Sequence, residues 1–205
     1  MPSFLNNLSW RYATKKFDGR TIAPDKLAKI FEAVRLAPTS FGLQPFHVTI
    51  VTDKDLREKI KDLAWGQEQV TTGSHLLVFS ARTDISDRIN AYFELATGGQ
   101  AALRATLAGY EKMMTDFAAG LDAPAAESWA ARQTYLALGF ALAAAAELEI
   151  DACPMEGFNP AGVKTVLKLP EHFFPKALLA LGYRHASEKP KPKIRFPNSD
   201  LFDSR

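Results

Sequence analysis

The spacing of apolar residues predicts an amphipathic helix near the start of the chain. Pro24 suits the first turn of a helix, and the apolar stripe ends before Pro38. Between these two prolines the apolar positions recur three and four residues apart, as they do on one face of a helix. The positions are Leu27, Ile30, Phe31 and Val34. We therefore expect this helix to pack one face against a core.

Other apolar runs predict strands and a second helix. Asn159 suits an N-cap and Pro160 the first turn of a helix that runs to about Leu167. Three short runs of β-branched or apolar residues are typical of buried strands, at residues 47–51, 75–79 and 176–183. Helix and strand signals thus alternate without internal repeats. This order predicts a single α/β or α+β domain that spans residues 1–205.

An alanine-rich segment predicts a long buried helix. Residues 127–148 carry apolar groups nearly all round, so such a helix must be covered on most sides. Small alanine side chains let backbones approach closely, which favours a place at the centre of a subunit interface. The alternative is an ordinary core helix of a monomer.

The C-terminal segment differs in kind from the rest of the chain. Residues 188–197 are rich in proline and lysine, so they cannot form a helix or a central strand and should be extended. We define residues 187–205 as the arm. One interpretation is a solvated basic tail. Ile194 and Phe196 favour the other, an arm that contacts protein, because a free tail gains nothing from them.

Composition limits the classes of function. The chain has 205 residues, 47% hydrophobic and 23% charged, enough for one core or for a subunit that shares its core. Its 25 basic and 23 acidic residues leave a formal net charge of +2. No global field therefore recruits nucleic acid or an anionic membrane, and any anion must be bound locally.

Metal sites and export are also disfavoured. Cys153 is the single cysteine, and the four histidines are widely separated in sequence, so we expect no metal site. The first residues lack the pattern of a secretory signal. The longest uncharged run, residues 133–146, is too short to span a bilayer. We expect a cytoplasmic protein with no membrane or nucleic-acid partner.

Two distant segments carry the chemistry. Residues 11–18 offer closely spaced cations, and arginine makes forked contacts with phosphate while lysine acts as a point charge. In residues 153–158, Gly157 has no Cβ to keep a flat ligand from its amide, and Pro154 presents a rigid apolar face. We interpret the two segments as walls of one site for an anion and a ring.

The order of four segments resembles the nitroreductase family, most closely its oxygen-insensitive NAD(P)H nitroreductase and dihydropteridine reductase branch. The resemblance covers nearly the whole chain. The segments are Arg-x-x-Thr-Lys-x-Phe at residues 11–17, Ala-Pro-Thr-Ser-Phe-Gly-Leu-Gln-Pro-Phe at 37–46, Pro-Met-Glu-Gly-Phe at 154–158 and Lys-x-Arg at 193–195.

The resemblance implies an α+β fold with a mixed central sheet flanked by helices. It also implies an intertwined homodimer that binds FMN at the subunit interface. In this family the C-terminal arm reaches the partner's sheet. An exchanged arm would explain the apolar residues of a proline-rich tail, and a shared interface would explain the alanine-rich helix.

The resemblance assigns residues to the flavin. Arg11, Lys193 and Arg195 are expected to hold its phosphate, and Lys15 to lie near its pyrimidine edge as a fixed electrostatic contact, with Gln69 at the same edge. The ring is expected to contact Pro154 and Met155 and to receive, at N5, the backbone N–H of Glu156 or Gly157. The other expected contacts are Tyr12 and Ala13, which stand where relatives often have His and Ser, and Pro38, Thr39 and Ser40 of the partner subunit.

The implied activity is an FMN-dependent oxidoreductase. NADH or NADPH and a flat acceptor, such as a nitroaromatic or quinone, would use the same face in turn in a ping-pong cycle. No catalytic side chain is needed, because the flavin carries the redox chemistry. Two alternatives stay open: another flavin chemistry on this fold, such as reductive dehalogenation or flavin breakdown, and a non-catalytic flavin- or partner-binding role. Candidates for the acceptor pocket are Phe41, Trp65, Tyr110 and Phe117.

Overall fold

The computed structural model describes residues 4–205. Residues 1–3, part of the predicted domain, lie outside the described residues. The strands are β1 (Phe46–Val51), β2 (His75–Arg82), β3 (Asp151–Met155) and β4 (Phe173–Gly182). The helices are α1 (Phe4–Trp10), α2 (Pro24–Arg35), α3 (Lys54–Leu63), α4 (Gln69–Thr72), α5 (Ile85–Thr97), α6 (Ala101–Thr106), α7 (Ala108–Ala119), α8 (Ala123–Glu147), α9 (Pro160–Val166) and α10 (Asn198–Leu201). The fold is α+β, as expected.

The four strands form one sheet in the order β1-β2-β4-β3, and every strand pair is antiparallel. The resemblance implied a mixed sheet, but the strands of the described chain are all antiparallel to their neighbours. The parallel element is limited to an isolated bridge between Ala13 and Ala152. The connection from β1 to β2 contains α3 and α4, and that from β3 to β4 contains α9, but each brings the chain back in the opposite direction beside the strand it left.

Both faces of the sheet are buried. Leu77 and Phe79 of β2 face one core, together with α2 and α8, while Leu76 and Val78 face the other, together with α3 and α9. Alternate residues of a strand point to opposite faces, so β2 contributes to both cores. The sheet is thus the middle layer of the molecule, and β3 is one of its strands.

Helix α8 is longer than the predicted helix. It begins at Ala123 because the side chain of Asp122 caps it by accepting a hydrogen bond from the Ala125 N–H at 2.8 Å. Its buried face is lined mostly by alanines and lies against α2 and the sheet. On the opposite face Tyr135, Leu136 and Phe140 are 38%, 45% and 40% exposed. The single chain therefore covers one side of this helix and leaves apolar surface on the other.

The remaining predicted elements are present. Helix α2 ends at Arg35, and the Asn159 side chain caps α9 by accepting from the Gly162 N–H at 3.0 Å. The predicted strands are β1, β2 and β4, with ends shifted by up to three residues. The arm forms no helix or strand up to Pro197, and Ile194 and Phe196 are 91% and 74% exposed. Among residues 4–205, no helix combines the length and hydropathy that a membrane span requires.

Candidate functional site

The N-terminal wall is fixed to β3 and to the end of β4. Ala13 bridges to Ala152, and the Thr14 hydroxyl, which is buried, donates to Asp151 Oδ1 at 3.1 Å. Arg184 Nε donates to the same oxygen at 2.7 Å. Thr14 thus points into the protein and holds its two neighbours in the motif, Arg11 and Lys15, beside β3.

A cationic cleft lies between this wall and the arm. Arg11, Tyr12 and Ala13 line it with residues 191–195, around a cavity of about 310 Å³. Lys193 Nζ donates to the backbone carbonyl of Arg11. Burial and the nearby Arg195 lower the pKa of Arg11, and desolvation with the charges of Arg11 and Arg195 lowers the pKa of Lys193. Like charges crowded this way favour an anion between them.

Lys15 and Gln69 converge on Cys153. Lys15 Nζ lies 3.5 Å from Cys153 Sγ, and Gln69 Nε2 lies 3.8 Å from it. Burial raises the pKa of the Cys153 thiol, so it is neutral at neutral pH and acts as a small buried group rather than a nucleophile. Arg57 keeps Gln69 in place by donating to the carbonyls of the segment that follows, including Val70 at 2.8 Å. The two predicted pyrimidine-edge contacts are thus neighbours.

Gly157 forms the second wall at the end of β3. Its carbonyl accepts from Gln67 Nε2 at 2.8 Å, and its N–H donates to no other group of the described chain. The Trp65 ring lies on its α-carbon, because a Cβ there would be 2.4 Å from Trp65 Cζ3. Trp65 has φ 57°, a left-handed conformation that is uncommon for a bulky residue. The structure thus offers a free amide donor on this wall.

The other residues predicted on this wall divide between cleft and core. Pro154 is half-buried, but the Met155 side chain packs in the core on the α3 and α9 side, so only its backbone can face a ring. Glu156 is exposed and lies beside Tyr135 of α8. Burial and the hydrogen-bonded Glu156 raise the pKa of Tyr135 to about 12. The Glu156 carboxylate therefore faces α8.

The loop that contains Pro38, Thr39 and Ser40 lies elsewhere. The Ser40 N–H donates to Gln133 Oε1 at 2.9 Å, and Gln133 is two residues from Tyr135 on α8, hence on nearly the opposite face. Asn7 donates to Glu147 at the far end of α8. Glu147 lies about 21 Å along the helix from Gln133, at a rise of ~1.5 Å per residue. Within one chain, this loop therefore lies apart from the cationic cleft and from the Gly157 wall.

The predicted acceptor residues occupy two places. Phe41 stacks edge-on with Phe117 at 5.3 Å between ring centroids, and Tyr110 contacts the rings of Tyr92 and Phe93. These three belong to the aromatic cluster of α5, α7 and α8. Trp65, 77% exposed, lies instead beside Gly157.

The family model for the nitroreductase family matches residues 8–183, which include both walls but not the arm. The chain belongs to the nitroreductase family. A relative from Staphylococcus haemolyticus, provisionally named an NAD(P)H nitroreductase, is 32% identical over 98% of this chain and 96% of its own length.

Solved nitroreductase-family structures share the fold. The Bacillus subtilis protein ydfN superimposes with a TM-score of 0.88 at 25% identity, over 98% of each chain. It too is provisionally named a nitroreductase. A protein from Exiguobacterium sibiricum, solved in complex with FMN, has a TM-score of 0.87 at 18% identity, over 100% of this chain and 98% of that one. The second likeness shows the fold alone.

Gln67 is a site residue that the nitroreductase pattern did not indicate. It lies in the loop between α3 and α4, and it joins Gln69 to the Gly157 carbonyl. The signal available in the sequence was its place two residues before Gln69, in a loop with a tryptophan and a glycine. Its partner lies 90 residues away, and no local pattern reports such a contact.

Proposed function

We propose that this protein is an FMN-dependent oxidoreductase that uses NADH or NADPH to reduce nitroaromatics, quinones or related flat acceptors. The observation that carries the proposal is the pairing of a cationic cleft with a wall that holds Lys15 and the free Gly157 N–H. Family membership and the relative named for NAD(P)H nitroreductase activity support it.

The donor set fits FMN. Arg11, Lys193 and Arg195 form no ion pair with a carboxylate of the described chain, so their charge is available to a phosphate dianion. Lys15 is likewise outside the ion pairs of residues 4–205. The free amide of Gly157 suits an acceptor atom on the edge of a flat heteroaromatic ring. Phosphate and ring contacts therefore lie on adjoining parts of one surface.

Bound FMN would supply the acceptance and delivery of hydride. The chain's own part is binding and electrostatics. Lys15 would place a fixed positive charge near the edge of the ring where negative charge develops on reduction, and the Gly157 N–H would donate a hydrogen bond to the ring. Glu156 is directed towards Tyr135 and is not used as a general acid. NAD(P)H and acceptor would use the same open face in turn, which would give ping-pong kinetics. Trp65, which lies beside Gly157, would border that face.

We propose further that the working unit is a homodimer. Pro38, Thr39 and Ser40 are expected to contact the flavin, yet in one chain they lie on the other side of α8 from Gly157. A second copy that contributes this loop would complete the site. The exposed apolar face of α8, around Leu136 and Phe140, supports a shared interface.

The arm has a matching surface. Strand β1 pairs with β2 on one side, and its other edge borders a groove of about 320 Å³ between β1 and α2. Phe31, Val48 and Ile50 line this groove. An extended segment can pair with an open strand edge and bury alternate side chains. We propose that the partner's arm lies here and buries its exposed Phe196 and Phe202.

An anaerobic absorption spectrum of the purified protein with FMN, before and after NADH or NADPH, tests the function. We expect a bound-flavin band that bleaches with one or both nicotinamides. A bound flavin that stays oxidised would favour another flavin role on this fold. Absence of bound flavin would overturn the site assignment.

Steady-state kinetics test the order of substrates. With the acceptor varied at several fixed NAD(P)H concentrations, we expect parallel double-reciprocal lines, because each substrate binds only after the other's product has left. Intersecting lines would contradict a shared face.

A further inference from the structure

Gly157 is contacted by two residues of the loop between α3 and α4, Trp65 and Gln67. The Phe158 N–H donates to the Glu156 carbonyl at 3.0 Å, which closes a tight turn centred on Gly157. Gln67 Nε2 holds the Gly157 carbonyl, and the Trp65 ring covers its α-carbon. Peptide units are planar and trans, so fixing the Glu156 carbonyl also fixes the opposite direction of the Gly157 N–H. The free donor is therefore oriented by its surroundings.

Gln67 is itself oriented by Gln69. Because Gln67 Nε2 donates to the Gly157 carbonyl, its Oε1 is left to accept, and Gln69 Nε2 donates to it at 2.8 Å. Gln69 is 4% exposed, and the same nitrogen lies 3.8 Å from Cys153 Sγ, next to Lys15. A continuous chain of polar contacts thus joins Lys15 to Gly157.

We propose that Gln67 is a positioning residue that orients the Gly157 amide for the flavin and couples it to the contacts at Lys15 and Gln69. The inference rests on the proposed function. Gln67 does not touch the ring. It acts through the Gly157 carbonyl, which shares a planar peptide unit with the Phe158 N–H, and that N–H in turn holds the Glu156 carbonyl opposite the Gly157 N–H. Hydrogen bonds in such a chain polarise one another. The amide group suits this role because it donates and accepts at once.

Gln67→Glu gives a test that a packing role cannot imitate. A protonated glutamic acid keeps both bonds, with its hydroxyl donating to the Gly157 carbonyl and its carbonyl accepting from Gln69. A glutamate anion cannot donate, and it places negative charge against the Gly157 oxygen. FMN binding by Gln67→Glu should therefore weaken, relative to wild type, as the pH rises.

The measured quantity is the FMN dissociation constant from quenching of flavin fluorescence, as the ratio of variant to wild type at pH 4 and pH 8. This ratio cancels the titration of the phosphate. A glutamic acid with its ordinary pKa of about 4.3 is mostly protonated at pH 4 and ionised at pH 8. For Gln67→Glu we therefore expect a ratio near one at pH 4 and about tenfold weaker binding at pH 8, as loss of one hydrogen bond implies. Gln67→Leu should be weakened at both pH values. Gln100→Glu, an exposed control, should keep a ratio near one throughout.

The reduction potential of the bound flavin gives a second readout. We expect it to fall in Gln67→Glu at pH 8 and to approach the wild-type value at pH 4. Equal, pH-independent defects in the Glu and Leu variants would reduce Gln67 to packing, and unchanged binding and potential would remove it from the site. Both outcomes overturn the inference while wild type still binds FMN. A wild-type protein that binds no FMN would instead overturn the proposed function.

Discussion

At Gly157 the absence of a side chain makes room for the Trp65 ring. A Cβ there would lie 2.4 and 2.9 Å from Trp65 ring carbons. Trp65 is largely exposed, so its ring can move aside. We predict that Gly157→Ala folds with a loss of about 1 kcal/mol or less but binds FMN at least about tenfold more weakly. Chemical denaturation and fluorescence titration measure the two effects.

A double mutant separates the ring contact from the loss of glycine itself. In a Trp65→Ala background, the same Gly157→Ala change should cost less stability, because the contact that it breaks is already absent. Equal costs in both backgrounds would show that the Trp65 ring does not constrain Gly157.

His75 gives a pH dependence to stability. Ser74 Oγ accepts the Ile22 N–H at 2.9 Å and lies 2.8 Å from His75 Nδ1, so its single proton is free to be donated to that nitrogen. Burial, with the charge of Arg57, lowers the pKa of His75. The folded state thus prefers neutral histidine. Its contribution is complete above the unfolded pKa of about 6.5 and is lost as pH falls through the lower folded value.

We predict that wild-type stability falls between pH 7.5 and 5.5 and that His75→Gln makes this fall shallower. Urea unfolding midpoints at each pH measure the slope. An identical slope in the variant would show that His75 does not contribute to it.

The family resemblance assigned Arg11, Lys193 and Arg195 to a phosphate, and the structure places all three around one cleft. Met155 was expected against the ring, but the alternation of β3 turns its side chain into the core. Gln67 has neither charge nor periodicity, and its role depends on a contact that only the fold creates.

At the scale of elements, the loop before β1 depends on α8. The buried Gln133 side chain accepts the Ser40 N–H, and Phe41 and Gln44 take left-handed φ values of 56° and 46°. We predict that Gln133→Leu costs about 1–3 kcal/mol, because the Ser40 N–H loses its partner. Hydrogen exchange of the Ser40 amide should also become faster, which NMR or mass spectrometry can measure.

Gln133→Glu is the matched control, since a carboxylate can still accept from Ser40. Protection of the Ser40 amide should survive in that variant. Faster exchange in both variants would show that the shape of the glutamine, rather than its acceptor, holds the loop.

Long elements were predicted better than short ones. Apolar periodicity located α2, and alanine content located α8, although the cap at Asp122 placed the true start four residues earlier. Residues 90–120 form parts of three helices, since Gly98 and Gly99 take left-handed φ values and end α5. Strand β3 has only five residues and contains Pro154, so its sequence carries little strand signal.

At the scale of the molecule, the arm combines cations and exposed apolar residues in one segment. Its Lys193 and Arg195 line the cationic cleft of the same chain, while its apolar residues beyond them are exposed. The sequence favoured a protein contact for such residues over a solvated tail. It could not indicate the groove that we propose for them, because that groove exists only after β1 and α2 have packed together.

Two truncations should separate the roles that we propose for these two groups. Removing residues 196–205 deletes the apolar end and leaves both cations, so we predict weaker dimerisation with the cleft intact. Removing residues 188–205 deletes the cations as well, and FMN binding should weaken further. Sedimentation measures the dimer, and fluorescence titration measures FMN. Unchanged flavin affinity in the longer truncation would remove Lys193 and Arg195 from the site.

The full-length Lys193→Ala and Arg195→Ala double variant completes the set, because it removes the charges and keeps the apolar end. We expect a normal dimer with FMN binding weakened by at least about a hundredfold, since charge-assisted hydrogen bonds contribute ~1.5–3 kcal/mol each. Added salt should reduce the difference from wild type, as it screens the cleft. If the double variant instead lost the dimer, the cations would be holding the arm itself, as Lys193 already does at the Arg11 carbonyl.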